Sequence, residues 1–214
     1  MKKLAAAIAI LVILLALAII NIKPAKKSFQ LVSPLLKQEN VLGINLWLPQ
    51  ILDRGKDAPE IGAKAALFID SKTGKTLYAK NINERLPIAS LVKVMTVLIA
   101  LEHKNLEDVY TVSERAANME PDKMLLIAGE KLTLKELLDG IFLVSANDAA
   151  EVLAEGTVGD REEFIKLMNI KAQQLGMKDT YYANPTGLDE DSNNTYSTAY
   201  DLAILARYLI KHYP

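Results

Sequence analysis

A serine three residues before a lysine, both set in an oily stretch, is a pairing that can do acyl-transfer chemistry. Here it is Ser90 and Lys93, in Pro87-Ile88-Ala89-Ser90-Leu91-Val92-Lys93. On a helix, residues three apart share a face. A lysine taken out of water is pushed toward its neutral, basic form. A hydroxyl near a helix start sits among unpaired N–H groups in a positive local field. A weak nucleophile beside a base is what such a reaction needs. Thr96 continues the same narrow stripe. Ser-x-x-Lys also recurs by chance, as an N-cap serine before a snorkelling lysine, so its meaning depends on its surroundings.

The element that must hold the pair is a helix over residues 91–101, apolar almost all round, which predicts a rod in the middle of a domain. The chain has 214 residues and a formal net charge of −1, enough for one domain plus an N-terminal appendage and nothing that asks for a nucleic-acid partner. It has no cysteine, which excludes disulfides, thiolate metal sites and a cysteine nucleophile. Its two histidines, His103 and His212, fall near predicted helix ends among polar residues. They argue against a His-based triad or a histidine-rich metal site, and leave lysine as the available base for a serine.

Met1-Lys2-Lys3 and the apolar run Leu4 to Ile20 read as a signal-anchor or signal peptide over residues 1–24, with an uncleaved membrane span favoured. Residues 25–61 read as a juxtamembrane connector, and 62–214 as the folded domain. Ala65 to Asp70 is expected to be a buried strand, and Thr76 to Lys80 its hairpin partner across a turn at Lys72-Thr73-Gly74. Val109 to Val112 is short and extended. Thr133 and Glu136 form a capping box for a helix to about Val144, with Leu134, Leu137, Leu138, Ile141 and Phe142 on one face. It stops at Ser145-Ala146-Asn147-Asp148, before a short helix over about 149–154. A helix follows Asp160 and ends near Gly176. After the turn-rich Asn184-Pro185-Thr186-Gly187, a last helix runs from Ala199 to about Lys211, capped by Thr198. One hairpin cannot cover that many apolar helix faces, so the expectation is that part of the sheet lies beyond residue 214.

Two polar clusters interrupt apolar helical contexts, Ser90/Lys93 and Ser145/Asn147, and both could line one cleft. Their order, with the hairpin Ile69-Asp70 to Asn81, the run Leu137-Leu138 to Ala150, Met168-Asn169 to Met177, and Asn184-Pro185-x-Gly187-Leu188, resembles the serine D-alanyl-D-alanine carboxypeptidases. These are low-molecular-weight penicillin-binding proteins that share a fold with the class A β-lactamases. The resemblance covers roughly residues 62–214.

That resemblance implies an α+β fold, a helical cluster against an antiparallel sheet. It implies an acyl-enzyme on Ser90, with Lys93 taking its proton, Ser145 relaying a proton to the leaving D-alanine, and Asn147 holding the substrate amide. It implies no metal or cofactor. The partners it implies are peptidoglycan pentapeptides ending in D-Ala-D-Ala, β-lactam inhibitors, and the membrane through residues 4–22. The protein would then sit at the cell membrane with its catalytic domain outside the cytoplasm. The family's third motif, Lys-Thr-Gly, follows the other two. The triplet Lys72-Thr73-Gly74 precedes Ser90, so the role is not transferred to it, and the third motif is expected after residue 214. Two alternatives stay open: a class A-like β-lactamase, against which Glu190 to Asn194 lacks that group's Glu-x-x-Leu-Asn, and a catalytically dead membrane-anchored binding protein of the same fold.

Overall fold

A computed structural model describes residues 59–188 and 195–214, all within one unit of the chain, Lys37–Pro214. The expected anchor, nearly all of the connector and Glu190 to Asn194 lie outside the described residues. Among the described residues, no helix is long and apolar enough to cross a membrane.

The order is β1 (Ala66–Ile69), β2 (Thr76–Lys80), a 3-10 turn (Ala89–Leu91), α1 (Val92–His103), β3 (Val109–Thr111), α2 (Glu114–Ala117), β4 (Lys131–Thr133), α3 (Leu134–Val144), α4 (Asn147–Val158), α5 (Arg161–Gln174) and α6 (Ala199–His212). Helix α1 is the central rod. Met95, Leu98 and Ile99 join one buried cluster with Phe164 and Met168 of α5, Tyr182, and Leu205 of α6. Val97 and Ala100 join a second, with Tyr110, Leu137, Ile141, Ala150 and Leu153. Cores lie on both sides of α1, which is why it is apolar all round.

Two antiparallel strand pairs border the helices, the hairpin β1–β2 and the pair β3–β4, whose strands are separated by α2. The first turns as the sequence predicts: Gly74 takes φ 74°, and the Asp70 carboxylate accepts from the Lys72 and Thr73 N–H groups. Its strand is not buried, however. Phe68 is 65% exposed; among the described residues β1 pairs with β2 along its edge and packs mainly on α6. The second pair was unforeseen. Lys131–Thr133 pairs with Val109–Thr111, and the same Thr133 then caps α3, its hydroxyl accepting from the Glu136 N–H while Glu136 reaches back to the Thr133 N–H.

Phe142 does not join the buried face of α3 but is 66% exposed, since the chain turns off at Ser145 and leaves the last turn uncovered. Helix α4 runs on to Val158, past the expected end at 154. Its Gly156, a poor helix former, makes room for the ring of Tyr110, whose hydroxyl meets Thr157 Oγ1 at 3.1 Å. The buried Glu151 on α4 is paired with Arg115 of α2 and Arg161 of α5, tying three helices together.

Candidate active site

Ser90 lies in the 3-10 turn, two residues ahead of α1 rather than inside it. Ala89 before it has φ 44°, a left-handed conformation that costs a non-glycine residue about 1 kcal/mol or more. The kink leaves the serine exposed, while Lys93, one turn on, is only 4% exposed. The lysine amine donates to Ser90 Oγ at 3.0 Å and to Ser145 Oγ at 3.3 Å. Burial lowers its pKa from the ordinary lysine value, and the nearby negative charge of Asp122 opposes that shift. A buried amine between two hydroxyls can take a proton from one and pass it to the other.

Ser145 is the residue after α3 and has φ 58°, ψ 35°. This left-handed step ends α3 and aims the hydroxyl back at Lys93. Asn147, two residues on, opens α4 and is 1% exposed. Its backbone N–H donates to the Asp122 carbonyl at 2.7 Å and its side-chain amide to the Pro121 carbonyl at 2.6 Å. Its Oδ1 is buried without a partner among the described residues. Asp148 beside it accepts from the N–H groups of Met124 and Leu126. The two residues thus pin the 120–127 loop next to the hydroxyls. All four sequence-nominated side chains fall in one neighbourhood, with Asn147 more enclosed than its expected role implies.

Sequence reasoning gives no role to Thr96, and for the Tyr and Asn clusters of 181–196 it favours a loop over a substrate border. Thr96, fully buried, donates to the Pro185 carbonyl at 2.7 Å. Asn184 folds the loop on itself: its Oδ1 accepts from Thr186 N, Thr186 Oγ1 and Gly187 N, and its Nδ2 donates to the Leu188 carbonyl. The available signals were the third residue of the polar stripe and the Asn-Pro-x-Gly turn. The two histidines stand apart: His103 Nδ1 meets the Ile99 carbonyl at 2.8 Å, and the His212 ring packs on Tyr208.

A helical cluster with an exposed serine, a buried lysine and a second serine at a helix–helix corner defines a penicillin-binding-protein-like fold. The sequence profile of the peptidase S11 family, D-alanyl-D-alanine carboxypeptidase, matches residues 53–214. The chain belongs to that family. It is 46% identical over 165 residues to D-alanyl-D-alanine carboxypeptidase DacF of Bacillus subtilis, a match covering 74% of this chain and 42% of the relative. It is 34% identical to DacC of Escherichia coli, over 74% of this chain and 42% of that protein. Among solved structures, the carboxypeptidase DacD of Francisella tularensis superimposes with a TM-score of 0.70 at 37% identity, covering 79% of this chain and 41% of that one. Penicillin-binding protein 5 of Haemophilus influenzae gives 0.69 at 33%, covering 75% and 48%. The chain therefore spans less than half the length of these relatives.

Proposed function

We propose that the protein is a serine D-alanyl-D-alanine carboxypeptidase that trims the terminal D-alanine from peptidoglycan stem peptides and is acylated by penicillin. The observation that carries this reading is the Lys93 amine, buried and within 3.0 and 3.3 Å of the Ser90 and Ser145 hydroxyls, inside the region matched by the family. Ser90 Oγ attacks the carbonyl of the penultimate D-alanine and gives its proton to Lys93. Ser145 relays that proton to the nitrogen of the leaving D-alanine as the C–N bond breaks. Water then splits the ester and restores Ser90. The Ser90 N–H gives one donor to the oxyanion, and Asn147 Oδ1, the buried acceptor without a partner, is the group that takes the substrate N–H. In a β-lactam, attack by the same serine opens the ring amide.

The names of the relatives support the substrate class, since they are D-alanyl-D-alanine carboxypeptidases. A peptidoglycan substrate and the apolar run Leu4 to Ile20 together support an anchor through residues 4–22, with the catalytic domain on the outer face of the cell membrane. The reading is tested with fluorescent penicillin and with D-alanine release from a peptide ending in D-Ala-D-Ala. Both activities are expected of the full-length protein and neither of Ser90→Ala. Labelling that survives the substitution identifies another nucleophile and overturns the assignment. The anchor is tested by fractionation: protein that leaves the membrane in alkaline carbonate is not spanning it.

A further inference from the structure

The 184–188 loop touches the nucleophile's backbone, and its grip on the helix runs through the one member of the polar stripe that the proposed chemistry does not use. Gly187 has φ +85°. A methyl group there would stand 2.0 Å from the Ala89 carbonyl oxygen and 3.1 Å from the Ser90 nitrogen. The loop backbone is therefore pressed directly onto the Ala89–Ser90 peptide, at the step where Ala89 takes its left-handed conformation. The loop cannot easily retreat. Asn184 and Thr186 within it are 2% and 1% exposed, four hydrogen bonds from Asn184 hold its shape, and Thr96 Oγ1 fastens the Pro185 carbonyl to α1 at 2.7 Å. Ser90, Lys93 and Thr96 lie at three-residue intervals on one face, so the fastening point is one turn beyond the base.

We propose that the 184–188 loop is a brace for the nucleophile, with Gly187 and Thr96 as positioning residues that hold the Ala89–Ser90 peptide against its own strain. Neither touches the reacting atoms. The brace resists relaxation of Ala89, which would swing Ser90 Oγ and its backbone N–H away from Lys93. Its catalytic consequence rests on the function proposed above; its structural consequence does not.

The test uses the full-length protein and the variants Gly187→Ala, Thr96→Val and Thr96→Ser, with two measurements. The first is the second-order rate of Ser90 acylation by fluorescent penicillin across pH. Gly187→Ala and Thr96→Val are expected to slow it by about 10²-fold, the effect of displacing reacting groups by about 1 Å. The position of the acid limb should not move, because the burial of Lys93 and the charge of Asp122, which set its pKa, are left in place. Thr96→Ser keeps the hydroxyl and restores the rate. The second is hydrogen exchange over residues 88–92, where the Leu91 N–H is held by the Ile88 carbonyl at 3.0 Å. Exchange should quicken there in the two damaging variants and stay unchanged over 97–101.

Wild-type rates in Gly187→Ala and Thr96→Val overturn the proposal. Unchanged exchange over 88–92 also overturns it, as does a Thr96→Ser variant no better than Thr96→Val. Should Gly187→Ala not fold, the Thr96 pair decides alone. A wild-type protein that penicillin does not label at Ser90 refutes the proposed function, while the exchange measurement still decides whether the brace exists.

Discussion

The two halves of the site are built in opposite ways. Ser90 and Lys93 belong to one helix start, and their 3.0 Å contact follows from three-residue spacing on a rod with cores on both sides. Ser145 and Asn147 sit at a corner between two helices. That corner exists because Ser145 adopts φ 58° and because Asn147 and Asp148 hold the carbonyls and N–H groups of the 120–127 loop. In the first half the Ser90–Lys93 contact comes from local spacing, with the 184–188 loop packed behind it; the second half is held by hydrogen bonds between residues distant in sequence. Damage to the first should cost chemistry alone, and damage to the second should cost chemistry and stability together.

The largest effect expected is at Lys93. Lys93→Met keeps most of the side-chain volume and removes the amine. Acylation should fall by about 10²–10⁴, the usual worth of a positioned base. The thermal midpoint should hold or rise, because a buried polar group is exchanged for an apolar one. A labelling time course and calorimetry on one preparation check both, and a midpoint several degrees lower would break the distinction between the halves.

Asp148→Ala should show the opposite character. It removes a carboxylate that accepts from Met124 N at 3.0 Å and Leu126 N at 3.2 Å. Hydrogen bonds to charged groups are worth about 1.5–3 kcal/mol each, so urea unfolding should show a loss of about 3 kcal/mol or more, with slower acylation beside it. A stable variant with wild-type acylation would show that the corner does not need its loop.

What the sequence revealed follows the same division. The apolar rod, the Ser90–Lys93 stripe, the capping box at Thr133 and the caps at Asp160 and Thr198 are local patterns, and each stands where the spacing puts it. Strand β4 was not legible, because Lys131-Leu132-Thr133 is three residues long and merges with a helix start. The exposure of Phe68 and Phe142 was hidden too, since periodicity says which residues share a face but not whether anything covers that face. The 120–127 loop and the Thr96–Pro185 bond join residues far apart in sequence, and no spacing rule reaches them. The polar break in an apolar context singled out Ser145 and Asn147 and the family resemblance gave them roles, but neither hinted that Asn147 would be so enclosed.

A subtler contrast lies within the corner itself. Ser145→Ala and Ser145→Gly both remove the proposed relay hydroxyl and should slow acylation equally. Their stabilities should differ, because glycine adopts the left-handed conformation at Ser145 without the penalty paid by a residue with a Cβ. The glycine variant should be the more stable by about 1 kcal/mol in matched urea titrations. Equal stabilities would mean that the corner carries no backbone strain.

The smallest effect expected is at the point where the halves meet electrostatically. With the neutral amine of Lys93 as the proposed base, acylation should rise with pH as that amine loses its proton. Burial already brings its pKa below the ordinary lysine value of 10.5, and the Asp122 carboxylate draws it partly back up by favouring the charged form. Asp122→Asn removes that anion. The pKa should then fall further, and the acid limb of the acylation profile should move to lower pH. The backbone carbonyl that holds the Asn147 N–H remains in place, so the plateau rate and the thermal midpoint should change little. An acid limb that moves upward, or not at all, would mean that the 120–127 loop meets the base through packing alone. The charge of Asp122 would then have no part in setting when Lys93 can accept a proton.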